Sequence, residues 1–418
     1  MLPWRQLAVV ILQALAQAVI NPLFWVVVVF IAWQYQRLLQ TRRQLFGVKS
    51  PQVWKPTLVA TAQGIVGGLV GSLIMVVTGI SLSHIGAVYL WALALLLMLI
   101  SPHLLCFSYS GGIIATFSLI FGVPKIDVPQ LMGLVAVLHM VESLLIRFSG
   151  HLGATPVYAQ AGDGQVVGAF NLQRLWPIPI VGLVLAGGVN LPPDSMVAMP
   201  NWWPLIRPTL ENPEHGVYLL LPVIAALGYG DLALAHTPNQ KRHSSAISLA
   251  MFSFILLGLS VLASYFHRLS ILPALFAPLG HEFIIRRGQA VEMQGKPIYV
   301  PSDRGVRVLD ALEGFPAYLA GVRSGDIIVA VNGTKVNSRR DLEERLAEAT
   351  TRVHLEVLPS ELEMPPQRRT RSLTVERMLE QPLGLILVPE GLDQPHVRLE
   401  RGGWIIRWWR KRWEPGAK

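Results

Sequence analysis

The feature that most limits what this chain can fold into is a series of apolar runs too long for a soluble core. From Leu7 to Trp33 the sequence is almost unbroken apolar, with Asn21-Pro22 the clearest interruption. A helix needs about 20 apolar residues to cross the roughly 30 Å of hydrocarbon in a bilayer. This run is therefore either one broken span or a half-inserted helix followed by a span from Pro22. Further runs follow at Thr57–Ile80, Ile85–Cys106, Tyr109–Val123, Val128–Phe148, Val217–Ala235 and Ser245–His267. With 52% hydrophobic and only 15% charged residues, the composition excludes an average soluble domain. The expectation for residues 1–285 is a polytopic α-helical membrane domain of about six to eight spans.

Charge orients the first span. The loop after it carries Arg37, Arg42, Arg43, Lys49 and Lys55 and no acid, which places it on the cytoplasmic side, and Trp25, Trp33 and Tyr35 suit the interfacial aromatic belt. The first run lacks the basic cluster and small-residue site of a cleavable leader. Gly64, Gly67, Gly68 and Gly71 recur at helical spacing and would admit a neighbouring helix closely. Between Gly150 and Trp176 the chain is polar enough to leave the membrane, with a hairpin over Pro156–Phe170 turning at Asp163-Gly164. Ile178–Val189 is apolar but short, and Leu191–Glu214 holds six prolines, the pattern of an interfacial or re-entrant segment. Lys241-Arg242-His243 argues for the cytoplasm. Counting spans puts that loop outside unless Ile178–Val189 also crosses, and both readings stand. Leu269–Ile285 is a last partial span or a hydrophobic coupling segment.

Beyond residue 285 the periodicity changes. Val306, Val308 and Asp310 alternate with Arg307 and Leu309 as in a half-buried strand. Pro316 suits the first turn of a short helix that Gly321 stops. Ile327–Val331 is a β-branched strand, and Asn332-Gly333 is the strongest hairpin signal in the chain. Ser338, with Asp341 three residues on, opens a helix carrying Leu342 and Leu346. Strands at Val353–Leu358, Leu373–Glu376 and Leu383–Val388 complete the set.

This order, with "GFPAYLAGVRSGDIIVAVNG" at its head, resembles a bacterial PDZ domain of the permuted kind found in periplasmic serine proteases and site-2 metalloproteases. The resemblance implies a small α+β domain over 286–392, a five- to six-stranded partial barrel with two helices. It also implies a groove in which an extended peptide adds beside the last strand, its end held by backbone N–H groups. The peptide-binding positions are then Leu383, Gly384, Leu385 and Ile386 in the loop and Leu342, Arg345 and Leu346 on the facing helix. Arg345 reaches a peptide carboxylate or is simply solvated, and Leu383–Val388 on its residues alone is equally a core strand.

In the 393–418 tail, Trp404, Ile405, Trp408, Trp409 and Trp413 share a helical face, with Arg407, Arg410 and Lys411 opposite. Indole beside cation suits a helix lying on an anionic lipid surface. A disordered basic tail, or tryptophans packed on the PDZ-like domain, are the alternatives.

Catalytic patterns fail one by one. A zinc protease needs His-Glu-x-x-His, but after His281-Glu282 the second His position is Ile285. No nucleophile elbow accompanies any serine. His139 and Glu142 share a face of one span, as a proton or ion path extended by Asp231, His84 and His103 would require, or as a hydrogen-bonded pair locking helices. Cys106, the single cysteine, reads as packing. No phosphate-cradling loop or nucleic-acid motif is present. The expectation is no enzyme, no metal and no cofactor.

The full layout resembles the MinJ family of polytopic cell-division topology proteins. The matching pieces are "NPLFWVVVVFIAWQYQRLLQTRRQLFG", "LGYGDLALA" and "LPALFAPLGHEFII" leading into a PDZ domain. The resemblance implies a non-enzymatic adaptor in the cell membrane, with PDZ domain and tail cytoplasmic, bridging DivIVA-like and MinD-like partners in septum-site selection. The rival readings are a transporter or channel-like protein with a regulatory PDZ domain and, further off, a site-2-type intramembrane protease relative.

Overall fold

The computed structural model describes residues 2–46, 53–187, 197–210, 216–360, 369–378, 381–391 and 393–395. The first apolar run is two helices. α1 (Trp4–Ile20) stops at Asn21, and the Asn21 side chain accepts the Leu23 N–H at 2.9 Å to start α2 (Pro22–Phe46). Pro22 sits where a helix has no use for its N–H. α3 (Trp54–Thr78) follows its expected run closely, α4 (Ala87–Ile100) covers only part of Ile85–Cys106 with a separate 3-10 turn at Pro102–Leu105, and α5 (Phe107–Phe121) and α6 (Val128–Ser149) again follow closely. Among the described residues five helical stretches are long and apolar enough to cross a membrane: Pro22–Gln40, Trp54–Thr78, Val128–Ser149, Pro238–Tyr265 and His267–Gln294. α1, α4 and α5 are shorter apolar helices.

The middle of the chain corrects the sequence reading. Val217–Ala235 is not a helical span, and the described part of Ile178–Val189, residues 178–187, is strand. They run in an antiparallel sheet of β1 (Thr155–Gln160), β2 (Val166–Gly187) and β3 (Gly216–Ala233), in that order. The pairing of β2 with β3 runs from Phe170↔Ala233 to Gly187↔Gly216. Pro177 and Pro179 in β2 and Pro222 in β3 explain the choice. In a helix interior each would remove a hydrogen bond and clash with the preceding turn. The expected hairpin at Asp163-Gly164 is present, with Gly164 at φ +89° and Thr155 paired with Asn171.

The glycine face of α3 meets this sheet as well as a helix. A Cβ on Gly64 would lie 2.0 Å from the Pro177 carbonyl oxygen, and one on Gly68 would lie 1.9 Å from that of Pro179. Gly67 instead faces Val141 and Leu145 of α6, and Gly71 lies between Val141 of α6 and Ile180 of β2. Ser72 ties helix to strand by accepting the Val181 N–H at 2.8 Å. The proline-rich 197–210 stretch tucks against the same end of the bundle. There Ile206 is fully buried, its N–H donating to the Thr78 carbonyl and its own carbonyl accepting from Gln130.

α7 (Pro238–Tyr265) begins with a Thr237–Gln240 capping box, and α8 (Ile271–Gln294) runs without interruption past residue 285, where the sequence placed the start of the second domain. The C-terminal domain contains β4 (Val306–Ala311), α9 (Pro316–Leu319), β5 (Ile327–Val331), β6 (Thr334–Lys335), α10 (Arg339–Glu348), β7 (Arg352–Leu358), β8 (Arg371–Glu376) and β9 (Leu385–Leu387). Its sheet runs β8-β7-β5-β4-β9, with β6 paired to β5. Val308, Val331, Leu342, Val353 and Leu355 make a core of their own. The domain is also docked on the sheet of the first: the Gly168 N–H donates to the Tyr299 carbonyl at 2.9 Å, and Phe170 meets the Tyr299 ring edge-on.

Candidate functional site

The groove is built from an edge strand and a helix start. β9 pairs with β4 on one side, where the Leu312 N–H donates to the Gly384 carbonyl and the Val388 N–H to the Arg307 carbonyl. Backbone polar groups alternate sides along a strand, so Leu385 and Leu387 turn theirs to the outer edge. α10 is placed by a complete capping box. The Ser338 hydroxyl accepts the Asp341 N–H, and the Asp341 carboxylate accepts the N–H groups of Asn337 and Ser338 at 3.1 Å. Those N–H groups hold the Asp341 carboxyl below its ordinary pKa.

That outer edge is already engaged. The Tyr158 hydroxyl, from β1, donates to the Leu387 carbonyl at 2.9 Å. Arg339, at the first turn of α10, donates to the Val388 carbonyl at 3.1 Å and the Tyr158 oxygen at 3.3 Å, and pairs with Asp393 at 2.8 Å. Burial opposes the charge on Arg339, but Asp393, Tyr158 and Glu390 together outweigh it and raise the guanidinium pKa. Burial also raises the Tyr158 pKa against the pull of Arg339, so the phenol stays a neutral donor. Neither Tyr158 nor Arg339 stands out in the sequence, because their roles depend on a contact between segments 181 residues apart.

The positions named from sequence fare differently. Leu385 is half-buried along the groove edge, as is Leu387, which the sequence reading did not name, and Leu346 on α10 is half-buried on the same core. Leu342 and Leu383 are core residues, 1% and 5% exposed, and Ile386 is buried beneath the edge. Arg345 pairs with Glu348 on its own helix at 2.8 Å. Gly384 does not open into the groove. It has φ +76°, and a Cβ there would meet the Phe315 Cβ at 2.2 Å. Trp404, Arg407, Trp408, Trp409, Arg410 and Lys411 lie outside the described residues.

The ionisable residues of the first domain form two clusters rather than one path. Asp231 joins Lys241 and Glu292, with Lys241 Nζ 3.3 Å and 3.7 Å from the two carboxylates. Glu292 also accepts the N–H groups of Leu234 and Ala235 at 2.9 Å. The second cluster gathers His139, Cys106 and His281, with Glu142 one turn after His139 on α6. Beside it, Glu282 accepts the Tyr109 hydroxyl at 2.7 Å and lies 3.8 Å from His103. His84 is set apart, its carbonyl accepting the Asp127 N–H.

Comparison with known proteins bears on the C-terminal domain. A PDZ domain family matches residues 307–358, the stretch from β4 through β7, so the chain carries a PDZ domain there. Within the PDZ region the chain is similar to a probable periplasmic serine endoprotease DegP-like of Bartonella henselae, 48% identical over 44 residues. That match covers 10% of this chain and 8% of the relative, far less than two thirds of the relative's length. The structure thus combines a helical N-terminal region containing several apolar helices with a C-terminal PDZ domain, a module that binds protein partners.

Proposed function

We propose that this chain is a membrane-anchored, non-enzymatic adaptor whose PDZ domain recruits protein partners by strand addition at the outer edge of β9. The observation that carries this is the pair of half-buried residues Leu385 and Leu387, whose outward backbone groups lie beside α10 and already engage a polar partner in Tyr158. The reading extends to a MinJ-like role at the division site, bridging a DivIVA-like and a MinD-like protein from the cytoplasmic face. It rests on the sequence resemblance: "LPALFAPLGHEFII" in α8 leads into the PDZ domain, and "LGYGDLALA" covers the end of β3 and the residues after it. The basic residues from Arg37 to Lys55 support the cytoplasmic placement.

Leu387→Pro tests the groove. Proline removes the outward N–H of Leu387 while leaving the β4-facing bonds of Gly384 and Val388 in place, and edge strands tolerate it. The expected result is a folded, membrane-retained chain that no longer captures its division partners from cells. Equal capture by the variant would place the partner contacts elsewhere.

A further inference from the structure

Three residues from separate parts of the first domain converge in its interior. Cys106 caps the start of α5, His139 lies in the middle of α6 and His281 in the middle of α8. Their donor atoms, one thiol sulfur and two imidazole nitrogens, all lie within 4.8 Å of one another. Cys106 Sγ is 3.0 Å from His139 Nε2 and 3.7 Å from His281 Nε2. Both histidines are buried, at 3% and 8% exposure. A tetrahedral zinc ion, with bonds of about 2.3 Å to sulfur and about 2.0 Å to nitrogen, sets its donors roughly 3.3–3.6 Å apart. The two sulfur–nitrogen distances, 3.0 and 3.7 Å, lie within about half an ångström of that spacing.

We propose that Cys106, His139 and His281 bind a divalent transition-metal ion, zinc first, clamping α5, α6 and α8 together. The tautomer of His139 is already set for it. Its Nδ1 lies 2.7 Å from the Val135 carbonyl, which can only accept, so Nδ1 carries the proton and Nε2 presents a lone pair to the site. Such a backbone bond on the second nitrogen is the usual support of a metal-bound imidazole. The His281 ring turns Nε2 to the same sulfur, and its buried Nδ1 has no hydrogen-bond partner among the described residues. A hydrogen-bonded Cys–His pair requires one imidazole; two converging on a single sulfur are what a metal requires.

Charge balance favours the same ion. On binding, the Cys106 S–H bond breaks, its proton leaves to solvent, and a thiolate–metal bond forms. One thiolate and two neutral imidazoles leave a divalent ion with a single positive charge. Glu142 lies one turn after His139 on the same helix. The Ser108 hydroxyl, 3.2 Å from His139 Nε2, borders the fourth position. Thiolate and imidazole together select zinc, copper or cobalt over magnesium or calcium. Helix packing supports the arrangement: a Cβ on Gly112 of α5 would lie 2.4 Å from Pro278 Cδ of α8, so these two backbones are nearly in contact one turn from His281.

The test uses the full chain in detergent, stripped with a chelator and titrated with Co²⁺ alone. Because Cys106 is the chain's single cysteine, a thiolate-to-cobalt charge-transfer band can come from no other residue. The expected result is a band that saturates at one equivalent and bleaches when Zn²⁺ displaces the cobalt. It should vanish in Cys106→Ser, and His139→Gln and His281→Gln should weaken binding at least about tenfold. Absence of the band in the unaltered chain overturns the proposal without reference to any variant, as does cobalt retained at one equivalent with no thiolate band.

Discussion

The Tyr158 hydroxyl donates to the Leu387 carbonyl at 2.9 Å, so a residue of the first domain occupies the strand edge on which a PDZ ligand would pair. The contact competes with a ligand for the same acceptor. A net hydrogen bond of this kind contributes about 0.5–1.5 kcal/mol. Tyr158→Phe is therefore expected to bind a display-selected peptide roughly two- to twelvefold more tightly in the full chain. Fluorescence titration against the unaltered protein checks it, and unchanged or weaker affinity would mean that the tyrosine does not guard the edge.

Gly384 and Phe315 form a second pair with a measurable consequence. Gly384 has φ +76° and would present any Cβ to the Phe315 Cβ at 2.2 Å and to its ring at 2.4–2.8 Å. Gly384→Ala should lower stability by about 1–3 kcal/mol through strain and overpacking together. Adding Phe315→Gly, which removes the Phe315 Cβ as well as its ring, should recover the overpacking part but not the backbone part. Thermal unfolding of the four chains separates the two. Equal losses in the Phe315 and Phe315→Gly backgrounds would remove the steric share.

The elements legible in the sequence are those decided by local backbone chemistry. Asn332 and Gly333 both have positive φ, 49° and 78°, as their hairpin required, and the Ser338 cap forms as its spacing implied. The long β2–β3 pairing was hidden because its strands are apolar enough to pass for spans. Pro177, Pro179 and Pro222 were the available signal against helices. The Cys106–His139–His281 cluster was illegible for another reason. Its members lie 33 and 175 residues from the shared cysteine, so no spacing rule links them. The role of Gly384 was misplaced because only the fold shows Phe315 in front of it.

Lys241 is 2% exposed between Asp231 and the buried Glu292. Removing the cation leaves Asp231 and the buried Glu292 without their shared ammonium partner, with His236 at 2.9 Å still beside Glu292, a change that typically destabilises by up to about 3–5 kcal/mol. Lys241→Met should show this loss, and Lys241→Met with Glu292→Gln a smaller one, since glutamine keeps an acceptor for the Leu234 and Ala235 N–H groups. Melting of the purified chains decides it; additive effects would mean that the cluster does not act as a unit.

The seam between α3 and β2 carries the sharpest steric prediction. Gly64 and Gly68 place the helix so close to the strand that an added Cβ would fall 2.0 Å and 1.9 Å from the carbonyl oxygens of Pro177 and Pro179. Real side chains do not tolerate such distances, and backbone oxygens cannot rotate away as a flexible side chain can. Gly64→Ala or Gly68→Ala must therefore separate the two elements, breaking the Ser72–Val181 bond as well. Each is expected to destabilise by at least about 3 kcal/mol, the upper range for overpacking. Gly258 is the internal control: it is exposed in α7 with nothing within 4 Å of its would-be Cβ. Gly258→Ala should be neutral or gain up to about 1 kcal/mol from helix propensity. A Gly68→Ala chain that melts with the Gly258→Ala control would show that the helix does not approach the strand this closely.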